Sequence, residues 1–173
     1  HCNTHGAFNP DVAPVKQSNL CMEIALPTKP LKHIHDEDGE IALCTLSAFN
    51  LGKLENLDDL EEWADLAVRA LDNLLDYQDY PVKAAEISTL ARRSLGVGVI
   101  NYAYYLAKNG LKYDESAVEL THKTFEAIQY YLLKASNKLA IEKGACDYFD
   151  QTQYAQGLMP VDTYKKDIDS YCK

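Results

Sequence analysis

Residues 17–24, which read QSNLCMEI, are the most informative stretch of this sequence. In an extended segment successive side chains point to opposite sides, so Asn19, Cys21 and Glu23 project one way. The apolar side chains at positions 20, 22 and 24 project the other way, into packing. A rise of about 3.4 Å per residue puts the amide and the carboxylate roughly 7 Å from the thiol. This geometry suits a small substrate on which the thiol reacts, the carboxylate accepts a proton and the amide donates hydrogen bonds.

The same spacing has a purely structural interpretation. A buried cysteine on a strand usually behaves as a small apolar side chain. The polar face formed by Asn19 and Glu23 could then simply point at water. On spacing alone the structural interpretation is the more frequent one, and both interpretations stay open at this point.

The flanking sequence predicts an α/β fold. Residues 1–52 are rich in Pro, Thr, Asn and short β-type runs, and extended segments are expected at Leu20–Leu26 and Ile41–Phe49. The turn signal Asp38-Gly39 lies between them and predicts a hairpin-like return. Both runs are strongly apolar, which favours strands buried in an α/β core over an exposed edge.

Helical periodicity dominates residues 57–144. A helix is predicted over Asp58–Gln78, ending before Tyr80-Pro81, and a short strand or turn over residues 94–99 leads into a helix near Asn101–Lys108. The first helix has an apolar stripe at spacings of three and four, formed by Leu60, Trp63, Ala67, Leu71 and Leu74.

A third helix is predicted to start at a capping box of Ser116 and Glu119 and to stop at Lys143-Gly144. The last thirty residues should form short helices and loops. The predicted buried stripe of the third helix consists of Leu120, Phe125, Ile128, Leu132 and Leu139.

Charge and hydropathy exclude several classes of function. The net charge is -9, which argues against a nucleic-acid surface because binding phosphates needs clustered Lys and Arg. The longest apolar runs fall short of the roughly 20 residues that cross a bilayer, and the N-terminus does not resemble a signal peptide. We therefore expect a cytoplasmic protein that binds neither nucleic acid nor membrane.

The first residue favours an internal segment, and the cysteine pattern leaves open an intracellular protein with one or two active thiols. The five cysteines stand at positions 2, 21, 44, 146 and 172, an odd number without a CxxC pair. This pattern fits neither a zinc knuckle nor a secreted disulfide framework. The first residue is His1 rather than Met, which favours a piece of a longer protein.

Three other patterns suggest chemistry but have simpler interpretations. His33, His35, Asp36 and Asp38 could be drawn as a metal cluster, yet they crowd into one turn and are expected to be solvated. Gly96 and Gly98 suggest a dinucleotide loop without its third glycine, so close backbone packing is the expected role. The pair Tyr104 and Lys108 has the spacing of short-chain dehydrogenases, but arises by chance on a helix.

A chain-long resemblance decides between the interpretations of Cys21. Residues 17–31, QSNLCMEIALPTKPL, resemble the finger-loop segment of the large subunits of class I ribonucleotide reductases. The resemblance continues in HCNTH (1–5), GEIALCTLS (39–47), LGVGVIN (95–101), LTHKTFE (120–126) and DTYKKD (162–167). It covers essentially the whole chain in register.

The resemblance implies roles for individual residues. Cys21 would become a thiyl radical that abstracts the 3′ hydrogen of a ribonucleotide, Glu23 would take the 3′-hydroxyl proton, and Asn19 would bind the ribose. Leu20 and Met22 would lie in the same substrate-binding stretch. Cys44 would be one half of a redox-active disulfide whose partner lies outside this chain.

The resemblance also implies a fold. It predicts part of a ten-stranded α/β barrel of two half-barrels, with the radical cysteine on a finger loop in the middle. Residues 1–52 would hold the finger loop and its flanking strands, and residues 57–173 the mainly helical part of the same partial catalytic domain. A partial barrel should leave sheet edges and apolar faces uncovered.

The implied activity is that of a ribonucleoside-diphosphate reductase. The substrate would be a ribonucleoside diphosphate, and a metal-containing small subunit would generate the radical. Thioredoxin or glutaredoxin would supply the electrons. ATP and dATP effectors would bind elsewhere in the full subunit, so this segment would itself hold no metal or cofactor. The alternative is a catalytically inactive fragment, or a split-gene segment, that only assembles with complementary chains.

Overall fold

The computed structural model describes residues 2–18, 25–159 and 161–162. The chain forms two compact units. Unit 1 consists of His1–Cys44, Gln78–Ser94 and Ala145–Lys173, and unit 2 of Thr45–Tyr77 and Leu95–Gly144. The predicted catalytic domain with parts at 1–52 and 57–173 stays a prediction.

Unit 2 is built around a parallel strand pair. Strands β1 (Thr45–Asn50) and β2 (Leu95–Ile100) pair in register, so that Thr45 lies opposite Leu95 and Asn50 opposite Ile100. Parallel strands need a long crossover, and residues 51–94 provide it. The α/β prediction is confirmed, although β1 starts at Thr45 rather than at Ile41. Within the described ranges the sheet has two strands, and the ten strands of a complete barrel stay a prediction.

Helix α2 (Asp59–Tyr77) lies within one residue of its predicted bounds at each end. Its buried apolar positions are Leu60, Ala64, Val68, Leu71 and Leu75. Leu74 was predicted in the stripe but is 46% exposed. At 3.6 residues per turn, residues 60, 64, 68, 71 and 75 lie on one face of the helix. Leu74 continues the series of Trp63 and Ala67, which lies at the edge of that face. The Trp63 ring still contacts Phe49 of β1, with ring centroids 5.9 Å apart.

Helix α5 (Val118–Lys143) confirms the third predicted helix but not its predicted cap. The Asp114 carboxylate accepts the Ser116 N–H (2.9 Å) and starts a single 3₁₀ turn, Glu115–Ala117, in front of α5. Glu119 pairs with Lys123 instead of reaching back to Ser116. The capping-box prediction was therefore wrong, because the Ser116 N–H that Glu119 would accept is already bound by Asp114.

The buried stripe of α5 is narrower than predicted. Ile128 and Leu139 are buried, and Leu120 and Leu132 pack against the same core. Phe125 is 43% exposed, so its place in the predicted stripe was wrong. Its ring lies edge-on to Tyr102, with centroids 6.4 Å apart, at the margin of the core. Gly144, with φ of 93°, ends the helix as predicted.

A ladder of polar contacts shows that α2 and α5 run parallel. Each contact joins residues 73 positions apart, which is possible only if the helices advance in the same direction. The guanidinium of Arg69 donates two bonds of 2.7 Å to Glu142. The other hydrogen bonds of this ladder are donated by Tyr131 to Asp58 (2.9 Å), by Lys134 to Glu61 (2.7 Å) and by Lys138 to Asp65 (3.1 Å).

Helix α4 (Tyr102–Lys108) follows β2 directly, as predicted. Asn101 joins the two elements with a φ of 66°, a left-handed conformation that asparagine tolerates better than most residues. Its side chain donates to the Asn50 carboxamide oxygen at the end of β1 (3.1 Å). Lys108 binds Glu55 (2.9 Å), which gives this side chain a structural role.

Unit 1 has little regular structure. It contains the short helix α1 (Cys2–His5), helix α3 (Lys83–Arg92), and two 3₁₀ turns at Phe149–Gln151 and Tyr154–Gln156. The two turns agree with the short helices predicted for the end of the chain. Helix α3 was not predicted, because its buried face lacks large apolar side chains. That face consists of Ala84, Ala85, Ser88, Thr89 and Ala91.

One face of the sheet is uncovered in the described residues. Leu46 and Ile100 are exposed apolar side chains of β1 and β2. A Cβ placed on Gly98 would meet no described atom within 4 Å, so the predicted close packing at this glycine was wrong. The open face agrees with the expectation for part of a larger sheet. None of the described helices is long and apolar enough to cross a membrane.

Truncation of the core should weaken unit 2 strongly. Leu60 is fully buried, so Leu60→Ala should cost about 2–5 kcal/mol through lost burial and the cavity left behind. Native-state hydrogen exchange of α2 amides in the intact protein measures this loss. Leu66→Ala on the same helix is the matched control, since Leu66 is 69% exposed. Equal effects of the two changes would contradict the assigned core.

The ladder should stabilise the α2–α5 pair in a salt-dependent way. Hydrogen bonds from Arg69 lower the pKa of Glu142 and, together with those from Lys138, the pKa of Asp65. A lowered folded-state pKa gives stabilisation that is present above about pH 5 and lost as the pH falls through the lowered value.

Glu142→Gln should therefore speed amide exchange at the C-terminal ends of both helices at pH 7. The difference from the wild type should shrink in 1 M salt, where screening acts over about 3 Å. Glu126→Gln on the exposed face of α5 is the control. A salt-independent effect, or the same effect in the control, would count against the ladder.

Candidate active site

The predicted catalytic and substrate-binding residues Asn19, Leu20, Cys21, Met22 and Glu23 lie outside the described residues. The chain is described up to Ser18 and again from Ala25. Their roles therefore stay predictions. The residues on either side of this segment are described below.

Two antiparallel bridges organise the segments on either side. Val15 pairs with Pro27, which ties together the ends of the stretch that includes residues 19–24. Lys29 pairs with Glu40 through two hydrogen bonds, Lys29 N–H to the Glu40 carbonyl (3.1 Å) and Glu40 N–H to the Lys29 carbonyl (3.0 Å). The second bridge confirms the predicted return of the chain around Asp38-Gly39.

A side chain from α1 holds the first bridge. The Asn3 amide donates to the Val15 carbonyl (2.9 Å), and the Asn3 carboxamide oxygen accepts the Val15 N–H (2.8 Å). The amide thus binds Val15 as a neighbouring strand would. This role of Asn3 was not predicted, although asparagine is among the side chains that commonly bond to backbone groups.

The turn before Glu40 is built on Asp36. Its buried carboxylate accepts the N–H groups of Lys32 (2.8 Å) and Asp38 (2.9 Å), and these bonds lower the pKa of Asp36. His33 and His35 are exposed. In the described part of the chain no group of three or more His, Cys, Asp or Glu side chains is placed to hold a metal ion. The acidic and histidine residues here form a turn.

Cys44 lies in the wall of an open cavity of about 410 Å³. It is half-buried and carries a thiol, directly before β1. Both flanks of the 19–24 segment reach the same cavity, through Ser18 on one side and Leu26 on the other. The remaining wall is contributed by Lys16, Gln17, Thr28, Lys29, Pro30, Leu31, Glu40, Ile41 and Ala42.

The cavity is lined by groups that suit an anionic, hydroxyl-rich ligand. Lys16 and Lys29 provide ammonium groups, and Ser18 and Thr28 provide hydroxyls that donate and accept hydrogen bonds. Leu26 and Ile41 add an apolar part. Such a mixture of charged, polar and apolar surfaces is typical of small-molecule sites.

One residue of this wall, Glu40, belongs to a buried ion pair. The Arg92 guanidinium donates two bonds to the Glu40 carboxylate, from Nε (2.7 Å) and from Nη2 (3.0 Å). The two side chains are only 5% and 12% exposed. Neither residue had been assigned a role from the sequence. The available signal was Glu40 itself, a charge at the start of a run that is otherwise apolar.

The other cysteines differ from Cys44 in their surroundings. Burial raises the pKa of the Cys146 thiol, which keeps it protonated and poorly reactive at neutral pH. Cys2 is exposed at α1, and Cys172 lies outside the described residues. The structure thus adds no chemistry for Cys2 or Cys146.

Comparison with known proteins identifies the family. The family model described as "Ribonucleotide reductase, barrel domain" matches residues 1–172. The chain belongs to the ribonucleotide reductase family. The predicted resemblance to the large subunits of these enzymes is confirmed, including its extension over the whole chain.

Curated relatives of this ribonucleotide reductase segment are large-subunit proteins. The chain is 77% identical over 171 residues to a ribonucleoside-diphosphate reductase subunit alpha of Haemophilus influenzae, covering 98% of the chain and 23% of the relative. It is 70% identical over 171 residues to the ribonucleoside-diphosphate reductase 1 subunit alpha of Escherichia coli, covering 98% of the chain and 22% of that relative. The subunit alpha of phage T4 is 51% identical over 169 residues, covering 96% and 22%. The chain thus spans less than a quarter of these relatives.

The bonds between Asn3 and Val15 should control the opening of the first bridge. Asn3→Ala removes an acceptor for the Val15 N–H and a donor for its carbonyl, each worth about 1 kcal/mol. We expect the Val15 amide to exchange about tenfold faster or more in the intact protein. The α5 amides serve as an internal reference. Unchanged exchange at Val15 would show that the Asn3 side chain does not hold this segment.

Proposed function

We propose that this chain supplies the radical cysteine and one redox-active cysteine of a ribonucleoside-diphosphate reductase large subunit. The observation that carries the proposal is the match of residues 1–172 to the reductase barrel domain, with relatives named as subunit alpha of ribonucleoside-diphosphate reductase. The substrate would be a ribonucleoside diphosphate.

The proposed chemistry balances with two thiols as the reductant. A thiyl radical on Cys21 removes the 3′ hydrogen of the ribose and returns it at the end. Glu23 takes the 3′-hydroxyl proton, Asn19 hydrogen-bonds the ribose, and the 2′-hydroxyl leaves as water. Cys44 and a thiol outside this chain supply two electrons and two hydrogens and become a disulfide. One ribonucleotide and two thiols thus give one deoxyribonucleotide, one disulfide and one water.

Chain connectivity supports a common site for Cys21 and Cys44. Cys21 is three residues from Ser18, and a chain spans at most about 3.6 Å per residue. Ser18 itself lines the same cavity as Cys44, so the proposed radical cysteine is close in sequence to a residue of that cavity. The tied ends at Val15 and Pro27 agree with a finger loop, and the loop itself belongs to the proposal.

The lining of the cavity supports the proposed substrate class. A diphosphate needs cationic groups, and two lysines, Lys16 and Lys29, are among the residues that line the cavity. A ribose needs hydroxyl and amide partners, which Ser18, Thr28 and Gln17 offer. The half-buried Cys44 is accessible enough for a disulfide that must form and be reduced in every turnover.

The remaining parts of the proposal follow from the family. A small subunit with a metal centre would generate the radical, and thioredoxin or glutaredoxin would reduce the disulfide. Effectors of the ATP and dATP type would bind in other parts of the large subunit. An inactive segment that only assembles with complementary chains stays the alternative.

Cysteine replacements in the intact large subunit test the proposal. With the small subunit, a thiol reductant and a ribonucleoside diphosphate, Cys21→Ser should reduce deoxynucleotide formation to background, since a hydroxyl does not replace the thiyl radical. Glu23→Gln should lower kcat by about 10²-fold or more, through loss of the general base. Cys44→Ser should stop turnover, because the two-electron donor is lost.

The matched control is Cys146→Ser, which changes a thiol far from the proposed chemistry in sequence and should leave kcat unchanged. Deoxynucleotide production is measured by separating the products of timed reactions. Undiminished production by Cys21→Ser would refute the assignment of the radical site. Loss of activity in the control would show that thiol replacement alone disturbs the fold.

A further inference from the structure

The buried ion pair of Glu40 and Arg92 joins two parts of unit 1, the stretch before Cys44 and the end of α3. We propose that this pair is a positioning device for the Cys44 thiol in nucleotide reduction. The inference rests on the proposed function, because it assigns the pair to the stretch that carries the redox cysteine. Neither residue is proposed to touch the reacting atoms.

The guanidinium of Arg92 is held from several sides. Its Cζ lies 4.9 Å from the centroid of the Tyr148 ring and 6.0 Å from that of the Phe8 ring. These rings belong to segments near the two ends of the chain. Aromatic faces attract a guanidinium and restrict its plane. The two bonds to Glu40 then fix the carboxylate relative to α3.

Helix α3 holds the same stretch a second time through the backbone. The Ile41 N–H donates to the Ala84 carbonyl in the first turn of α3 (3.2 Å), while Arg92 in the last turn binds the Glu40 side chain. On its other side, Glu40 pairs with Lys29 by two backbone bonds. Residues 40 and 41 are therefore fixed between α3 and the segment that leads back towards residues 19–24.

The pair connects both proposed redox residues. Cys44 follows Glu40 by four residues along the cavity wall, and Lys29 follows the 19–24 segment by five. A shift of Glu40 would move the cavity wall at residue 40 and, through the paired backbones, at Lys29. Disulfide formation demands Cα atoms within about 7 Å and correctly aimed Cβ atoms, so small displacements of Cys44 matter. A misplacement of about 1 Å in an active site can cost about 10²-fold in rate.

The energetics favour a positioning role over a purely stabilising one. Burying an ion pair costs desolvation, and apolar residues of similar volume often pack at least as well. The Arg92 Nη1 group is also buried with no hydrogen-bond partner in the described part of the chain. Two nitrogens of Arg92 thus fix the Glu40 carboxylate, while its third nitrogen stays without a hydrogen bond to any described residue. This is expected where the position of Glu40 matters more than the stability of the pair.

The experiment uses the intact large subunit with its small subunit. Glu40→Gln keeps the shape of the side chain but removes the charge that fixes Arg92. We expect kcat per folded molecule to fall about tenfold to a hundredfold. The KM for the ribonucleoside diphosphate should change less than about twofold. The reduction potential of the Cys44 disulfide, measured in a thiol–disulfide buffer, should shift as well.

Lys83→Met is the matched control. Lys83 pairs with Glu86 on the exposed side of the same helix (3.0 Å), with side chains 47% and 36% exposed, and its loss should change neither kcat nor the potential. If Glu40→Gln does not fold, Arg92→Lys replaces it, because lysine keeps the charge but does not form two parallel bonds. A positioning role predicts the same fall in kcat for this variant.

The possible outcomes separate the two proposals. Wild-type kcat and potential in folded Glu40→Gln or Arg92→Lys would overturn the positioning role and leave the reductase assignment intact. A loss of activity that matches only a loss of folded protein would overturn it too. A wild-type subunit that forms no deoxynucleotide would overturn the proposed function and this inference with it.

Discussion

Parallel pairing between β1 and β2 is the constraint on which the rest of the structure depends. Parallel neighbours cannot be joined by a tight turn, so the chain must leave the sheet at Asn50 and return at Leu95. The crossover contains α2, which covers one face of the sheet, and α3, which provides Arg92. Because β1 begins at Thr45, the same pairing fixes Thr45, the residue directly after Cys44 in the chain.

The two units satisfy their polar backbone groups in different ways. In unit 2, most backbone N–H and C=O groups pair within the long helices and the strands, and side chains such as Asn50 and Asp114 complete the bonding only at helix ends and turns. In unit 1, side chains complete the backbone bonding, as Asn3 does at Val15 and Asp36 does in the turn before Glu40. Buried backbone groups must find partners, so irregular segments depend on a few specific polar residues.

That difference explains what the sequence could and could not predict. Helix α2 was predicted within one residue at each end because its apolar residues recur at helical spacing over five turns. Helix α3 escaped detection because small residues such as Ala84 and Ser88 form its buried face. The capping box failed since Asp114 competes for the same N–H group. The spacing of residues in a sequence predicts which large apolar side chains are buried. It does not predict which of two acceptors will take a given N–H group.

The candidate site was predicted by another route. Spacing around Cys21 gave a thiol between an amide and a carboxylate, a pattern that an inert strand would also show. The resemblance over the whole chain, now supported by the barrel-domain match, favoured the reactive interpretation. No periodicity could have found Glu40 and Arg92, which are 52 residues apart and meet only in the folded unit. Long-range polar pairs of this kind depend on the topology.

The polar character of unit 1 has a functional consequence. A core of apolar side chains tolerates small shifts, because apolar contacts are not directional and can repack. Charged and amide hydrogen bonds weaken steeply with distance and angle, so they fix positions more sharply. If Cys44 exchanges a disulfide, as proposed, its position has to be fixed in this way, and preorganised sites depend on such supporting bonds. On the proposed positioning role, replacing a single buried residue such as Glu40 should cost more activity than replacing an exposed charge such as Glu126 of α5.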